Sequence, residues 1–388
     1  MPFCIYLHCQ EMPFLGRKLT TIREIASIES PYLKIKTMHD LHLYGWNDEL
    51  FQQKQNSGYK EFIHGRITVT HKTCYELISE AGHYSCEMTG NMLYGRDVSD
   101  YPCTGDWVIF QVTDTYKGII LAMLPRKKTL YRLKSGSVSE RQAIASHVDK
   151  AFIVQSLDNS FNVRRIERFM LQLSSESIQP ILILTKTDLG FDADEINKAI
   201  KHLSHKMPVF YTSTQLPESI DMLRETIHTG ETVVFTGMSG VGKSTLINAL
   251  CGRELLQTGT ISDSTGKGKH TSTRREMVLL PGSGVLIDTP GVKLFGVTND
   301  NTDNLSEILD ISAYEGKCRF KDCKHVNEKG CAVLEAVNTG ELDRGVYESY
   351  LKLRREAWHY TASVHEKRKQ EKSFSKIVDE VKKRKGNY

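Results

Sequence analysis

Between Gly65 and about Arg126, apolar and polar residues alternate in short runs broken by turn residues: RITVTH, CYELIS, HYSCEM, DWVIFQV and GIILAML. A period of two over such short segments predicts five strands. Their close spacing predicts a small barrel of OB or SH3-like type. After Ala151 the texture changes. AFIVQS, PILILT, PVFYTS, ETVVFT and GVLID are nearly continuous apolar runs, and the helical patterns NVRRIERFMLQLS and SIDMLRETI lie among them. Strands buried on both faces that alternate with helices make a parallel sheet with crossovers. Beyond about Asn301 the pattern becomes helical and polar. The resulting division is an extension over residues 1–40, a barrel over 41–128, and a polar, basic linker over 129–147. An α/β domain follows over 148–300, then a helical region with a basic tail over 301–388.

A chain of 388 residues suits two or three domains. Hydrophobic residues at 39% and charged residues at 25% exclude a wholly disordered chain. The net charge of +4 is too small to mark a nucleic-acid binder, so only local clustering of cations carries that information. No apolar run reaches the ~18 residues of a membrane span, and no membrane partner is expected. Gln10 and Glu11 interrupt the apolar N-terminus, which makes it a poor signal peptide. Nine cysteines, an odd number, point to reduced thiols and a cytoplasmic location. A monomer is expected.

The strand ETVVFT runs into Gly237, Met238, Ser239, Gly240, Val241, Gly242, Lys243, Ser244 and Thr245, and then into the helical LINAL. This is G-x-x-x-x-G-K-[ST] between strand and helix. Glycines let successive N–H groups turn toward phosphate oxygens, and the helix adds its positive end. Lys243 would reach the β- and γ-phosphates, and the Ser244 hydroxyl would ligate Mg²⁺. The bland alternative is a glycine-rich turn.

Thr185, Lys186, Thr187 and Asp188 follow PILIL directly. The Asp188 carboxylate can accept from both N1–H and the exocyclic amine of guanine. Adenine offers neither donor there and would leave the charge unpaired. The Lys186 stem would cover the base. In isolation this tetrapeptide is more often a helix N-cap at Asp188, and its pairing with the phosphate loop favours guanine. After the strand GVLI, Asp288-Thr289-Pro290-Gly291 offers a carboxylate for Mg²⁺ and the Gly291 N–H for the γ-phosphate. Between these lies GKGKHTST, a segment rich in glycine and hydroxyls. Thr273 is the first choice to complete the Mg²⁺ shell and Thr271 the second.

Ordinary GTPases present the phosphate loop first and the base reader last; here the base reader comes first. That order, with a barrel before it and a Cys/His cluster after it, resembles the YjeQ/RsgA family of circularly permuted, ribosome small-subunit-dependent GTPases. The resemblance rests on GWND at 45–48, TGDWV at 104–108, LPRKKTLYR at 124–132, TKTD, GMSGVGKSTLINAL, GKGKHTST, DTPGV and CRFKDCKHVNEKGCAV. It implies a multidomain α/β fold: an N-terminal OB-like barrel, a central circularly permuted P-loop GTPase domain and a C-terminal helical zinc-binding domain. The usual Ser-Ala of the second base-contacting loop is TST at 212–214, which leaves Ser213 as the candidate contact.

Cys318, Cys323, His325 and Cys331 supply three thiolates and an imidazole, a set suited to one tetrahedral, structural Zn²⁺ per chain. The alternative is three free cysteines and a surface histidine. Family resemblance places zinc on the same four residues. With little apolar sequence in 301–388, the metal would supply much of that region's folding energy, on the order of 10 kcal/mol.

Glu366 to Lys385 holds 9 basic and 4 acidic residues, a surplus of 5 that suits an RNA-binding tail or a solvated helix face. Arg126, Lys127, Lys128, Arg132 and Lys134 form a second basic patch. The resemblance names the partner as the small ribosomal subunit and its rRNA, during late maturation, with GTP/GDP and Mg²⁺ at the nucleotide site. Where Ras-like enzymes carry a water-orienting glutamine, this chain has Val292, so intrinsic hydrolysis should be slow. His270 in GKGKHTST is the polar candidate, and the resemblance points to the same histidine. The competing reading is a GTP-gated rRNA-binding assembly module with negligible turnover; a P-loop ATPase or kinase is disfavoured by TKTD.

Overall fold

The alternating runs form β1 (Ile63–Thr70), β2 (Tyr75–Ser79), β3 (Gly82–Met88), β4 (Trp107–Asp114) and β5 (Lys117–Met123) in the computed structural model. It describes residues 39–93, 98–133, 140–256, 275–289 and 304–361. The expected N-terminal extension up to residue 38 lies outside these residues, as do His270, Thr271, Thr273, Gly291, Val292 and the basic tail. The five strands close into a barrel in the order β1-β2-β3-β5-β4. β3 and β5 pair in parallel while the other neighbours pair antiparallel. That parallel closure belongs to the OB arrangement and decides between the two barrel types. Ile67, Leu77, Val108, Phe110 and Ile120 fill the interior with no exposed surface.

GWND contributes a turn and a cap. Trp46 packs its ring 4.9 Å from that of Trp107. The Asn47 side chain accepts from Leu50 N–H at 3.0 Å, starting the helix Asp48–Gln55. TGDWV and LPR meet in a buried ion pair. Arg126 reaches Asp106 at 2.7 Å, and the same carboxylate accepts from Cys103 N–H.

Within the stretch read as a linker, β6 (Leu130–Leu133) and β7 (Arg141–Ala145) pair antiparallel. Its polar average hid Leu130, Ile144 and Ala145, which are buried in the core of the α/β domain. The barrel abuts this ladder closely. Gly105 has φ +99°, and a Cβ there would lie 2.4 Å from Ser146 O. The buried Arg66 guanidinium donates to Gly105 O, Tyr44 O and Ser146 O, and so ties the barrel to residues on both sides of it.

The apolar runs form β8 (Lys150–Ser156), β9 (Gln179–Thr185), β10 (Val209–Tyr211), β11 (Thr232–Thr236) and β13 (Val285–Asp288), with β12 (Met277–Leu279) at one edge. The sheet order is β10-β9-β8-β11-β13-β12, parallel except for β12 against β13. The phosphate-loop strand β11 lies inside the sheet, with the base-reading strand β9 two places away. Moving the chain's start from β11 to β8 changes no pairing, which is why the altered motif order still folds. One sheet face packs on the helix Lys243–Cys251, and the other on the helix Val163–Ser175.

The C-terminal region departs from expectation. Leu305, Ile308, Val333, Ala336, Val346, Tyr350, Leu353 and Ala357 join the same apolar cluster as Ile153, Ile166 and Ile287 of the α/β domain. In the helix Arg344–Thr361, Val346, Tyr350, Leu353 and Ala357 recur at helical spacing on one face. This region therefore shares a core with the parallel sheet, and a metal is not the main source of its packing. A buried polar contact reinforces the junction: Glu167 pairs with His202 Nε2 at 3.0 Å and accepts from the Ser349 hydroxyl.

Candidate functional site

The nucleotide-site elements meet at the C-terminal edge of the parallel sheet, where crossovers leave loops free. Gly237 follows β11 with φ +152°, and a Cβ there would sit 2.4 Å from Val154 O of β8. Only glycine fits this exit. Gly240 and Gly242 also take positive φ, at 83° and 97°. Lys243 is buried and donates to Gly237 O at 2.9 Å and Met238 O at 2.8 Å, which closes the loop around its ammonium. Burial lowers its pKa, opposed by nearby Asp288. Ser239, Gly240 and Thr245 are exposed, and Ser244 is half-buried.

Asp288 ends β13 opposite Phe235 of the phosphate-loop strand. Burial raises its carboxyl pKa, and Lys243 and the Ser244 hydroxyl act against that rise. Its Oδ1 is buried without a hydrogen-bond partner. A buried carboxylate oxygen left open beside a serine hydroxyl and a lysine fits a divalent cation's hydration shell. Thr289, next in DTPG, donates to Phe235 O at 2.5 Å and fixes the turn out of the strand.

The base-reading loop is tied to the phosphate loop directly. Thr185 is buried, and its hydroxyl donates to Val241 O at 2.7 Å and to Gln155 O at 3.3 Å. Lys186 adopts a left-handed backbone, φ +63°, and Thr187–Leu189 form one helical turn that presents Asp188 to solvent. The Ser213 hydroxyl donates to Asp188 Oδ1 at 2.6 Å. Ser213 thus meets Asp188 of TKTD through its side chain, despite the departure from Ser-Ala.

Cys318, Cys323, His325 and Cys331 bring one ligand atom each to within 4.8 Å of one another. Cys318 Sγ lies 4.0 Å from Cys331 Sγ, and His325 Nδ1 is 3.6 and 3.4 Å from these two sulfurs. A tetrahedron with Zn–S about 2.3 Å and Zn–N about 2.0 Å separates sulfurs by about 3.8 Å and sulfur from nitrogen by about 3.5 Å. The four residues are compatible with zinc. Motif reading missed Glu315, whose Oε1 lies 3.7 Å from His325 Nε2 and accepts from the Ser306 hydroxyl and Tyr350 Oη. Such a carboxylate orients a ligating imidazole. Sequence reading also passed over the outer surface of the Cys/His loop. Phe320 is 47% and Val326 49% exposed, among exposed Lys317, Arg319, Lys321, Lys324 and Lys329. The Arg319 guanidinium lies over the Phe320 ring at 5.6 Å.

Residues 123–298 match the family model described as RsgA GTPase, and residues 232–379 match one described as 50S ribosome-binding GTPase. A Bacteroides thetaiotaomicron protein named small ribosomal subunit biogenesis GTPase RsgA 1 is 65% identical over 350 residues, spanning 90% of this chain and 99% of the relative. The chain belongs to the RsgA GTPase family. It is a GTP hydrolase. A Vibrio parahaemolyticus relative, small ribosomal subunit biogenesis GTPase RsgA 2, is 34% identical, covering 89% of this chain and 94% of its own length. Two solved structures share the fold, each at TM-score 0.54 and 24% identity. YjeQ from Thermotoga maritima covers 76% of this chain and 98% of its own, and YloQ, described as a circularly permuted GTPase, covers 79% and 99%. Among the described residues, no helix is long and apolar enough to cross a membrane.

Proposed function

We propose that this GTPase acts in the cytoplasm as a monomer that binds the small ribosomal subunit and couples GTP hydrolysis to its late maturation. The observation that carries the reading is 65% identity over nearly all of both chains to a relative named for small-subunit biogenesis. The cationic and aromatic surface of the Cys/His loop supports it, because exposed rings among cations suit unpaired RNA bases. Arg126 does not belong to such a surface, since Asp106 holds it in the barrel wall.

In this reading the loop from Gly237 to Thr245 wraps the phosphates, with Lys243 as the central charge. Thr185, Lys186, Thr187, Asp188 and Ser213 hold guanine, and the Gly291 N–H meets the γ-phosphate. Ser244 and Asp288, with Thr273 or Thr271, hold Mg²⁺, which neutralises phosphate charge when bound. Zn²⁺ on Cys318, Cys323, His325 and Cys331 is structural. His270 orients the attacking water, a role carried from the family resemblance, and intrinsic turnover is slow without the subunit.

The test is GTP turnover measured alone, with purified small subunits and with large subunits. Small subunits should raise the rate by 10²-fold or more, and large subunits should not. His270→Ala should keep GTP and subunit binding yet lose most of the stimulated rate. Equal stimulation by both subunits would remove the proposed partner, and a fully stimulated His270→Ala protein would remove that residue's role.

A further inference from the structure

Lys186 sits in a left-handed backbone conformation that is unfavourable for a residue with a Cβ, so its neighbours must hold it. Its ammonium lies 2.8 Å from Asp158 Oδ2, on the loop after β8. That carboxylate is itself braced. Its Oδ1 accepts from Ser160 N–H at 2.9 Å, and the Ser156 and Ser160 hydroxyls lie 3.0 Å apart beside it. The loop is pinned to the base-reading strand by Leu157 N–H on Thr185 O at 3.0 Å. Asp158 therefore has a fixed place relative to the residues on which guanine is read.

We propose that Asp158 is a positioning residue for guanine nucleotides: it anchors the Lys186 ammonium so that the side chain's methylene stem is already laid where the base stacks. This rests on the guanine-site reading above. A free lysine stem loses rotamer freedom when it covers a ligand, and a stem already tethered loses less. The Lys186 and Asp158 side chains are 24% and 31% exposed. A pair this accessible adds little to folding stability, so its consequence should fall on nucleotide binding. Against the effect of partial burial, hydrogen bonds from Lys186, Ser160 and Ser156 hold the Asp158 carboxyl well below the usual aspartate range.

The experiment measures dissociation constants and off-rates of fluorescent GDP and GTP analogues for the full chain, Asp158→Ala, Asp158→Glu, Lys186→Met and the Asp158→Ala/Lys186→Met pair. Asp158→Ala should weaken GDP and GTP alike by roughly three- to tenfold, the scale of one immobilised side chain. The loss should appear in the off-rate and in KM for GTP more than in kcat, and Asp158→Glu should recover part of it. In the Lys186→Met background, Asp158→Ala should add nothing. Wild-type affinity in Asp158→Ala, or an equal loss with and without the Lys186 ammonium, overturns the proposal. A wild-type protein that binds ATP as well as GTP overturns instead the guanine site on which it rests.

Discussion

At the nucleotide edge, Lys243, Thr185 and Asp288 are themselves buried, on or beside strands whose apolar residues have essentially no exposed surface. In the Cys/His loop, by contrast, no helix or strand forms between Ile311 and Cys331, and Phe320 and Val326 stand half in solvent. The first region places its polar groups by hydrophobic burial of the sheet beneath them. The second brings its four ligands together through backbone turns, a few hydrogen bonds and, in our reading, the metal. Burial tolerates loss of one polar group, because the strands stay paired. A ligand cluster does not, because four donors crowded within 4.8 Å repel or leave unpaired groups without an ion. The same substitution severity should therefore cost activity in one region and structure in the other.

The largest expected effect breaks the loop. Cys323→Ser should yield protein without zinc and with a second unfolding transition at lower temperature. Because the C-terminal helices share the GTPase core, the loss should stay below the roughly 10 kcal/mol of an isolated zinc module. Metal analysis and calorimetry check it; a metal-free variant with wild-type melting would show that the ion does no structural work.

Next comes Lys243→Ala. Turnover should fall by about 10²- to 10³-fold, the scale of one preorganised charge at a reacting group, while the melting temperature moves by only a few degrees. Circular dichroism beside a phosphate-release assay separates the two. Gross unfolding here would mean that burial does not hold the edge.

Asp188→Asn sharpens the chemistry without touching either core, since Asp188 is exposed. GTP affinity should drop by at least tenfold, and xanthosine nucleotides, which carry a C2 carbonyl, should gain. A smaller accompanying loss is expected from Ser213→Ala, which removes the hydroxyl held 2.6 Å from that carboxylate. Unchanged base preference would place guanine recognition elsewhere.

The smallest effect concerns acid sensitivity away from both sites. Burial pushes His64 and His147 down to about 4 in the folded protein, from an ordinary 6.5. The unfolded chain therefore binds the additional protons between those values. Stability from these neutral imidazoles is complete above pH 6.5 and is lost as pH falls toward 4. His147 has φ +53°, a conformation asparagine accepts, so His147→Asn should flatten the slope of the urea midpoint between pH 6.5 and 4.5. An unchanged slope would assign the acid sensitivity to other groups, the Cys/His ligands included.

Local order in the sequence was enough where the pattern is contiguous and strongly periodic. Alternation along β1–β5 gave the barrel strands, continuous apolar runs gave the buried sheet, and fixed spacings gave the phosphate loop, TKTD, DTPG and the Cys/His set. These follow from side-chain period and from backbone demands met within a few residues. Tertiary structure decided what depends on residues far apart in the chain. It chose the OB closure through the β3–β5 pair, drew Leu130, Ile144 and Ala145 out of an apparent linker into a core, and merged the C-terminal helices with the GTPase sheet. It also set Ser213 on Asp188, Glu315 beside His325 and Asp158 on Lys186. No period or motif encodes such pairs, because a hydrogen bond between loops 25 residues apart is fixed by how the strands beneath them pack.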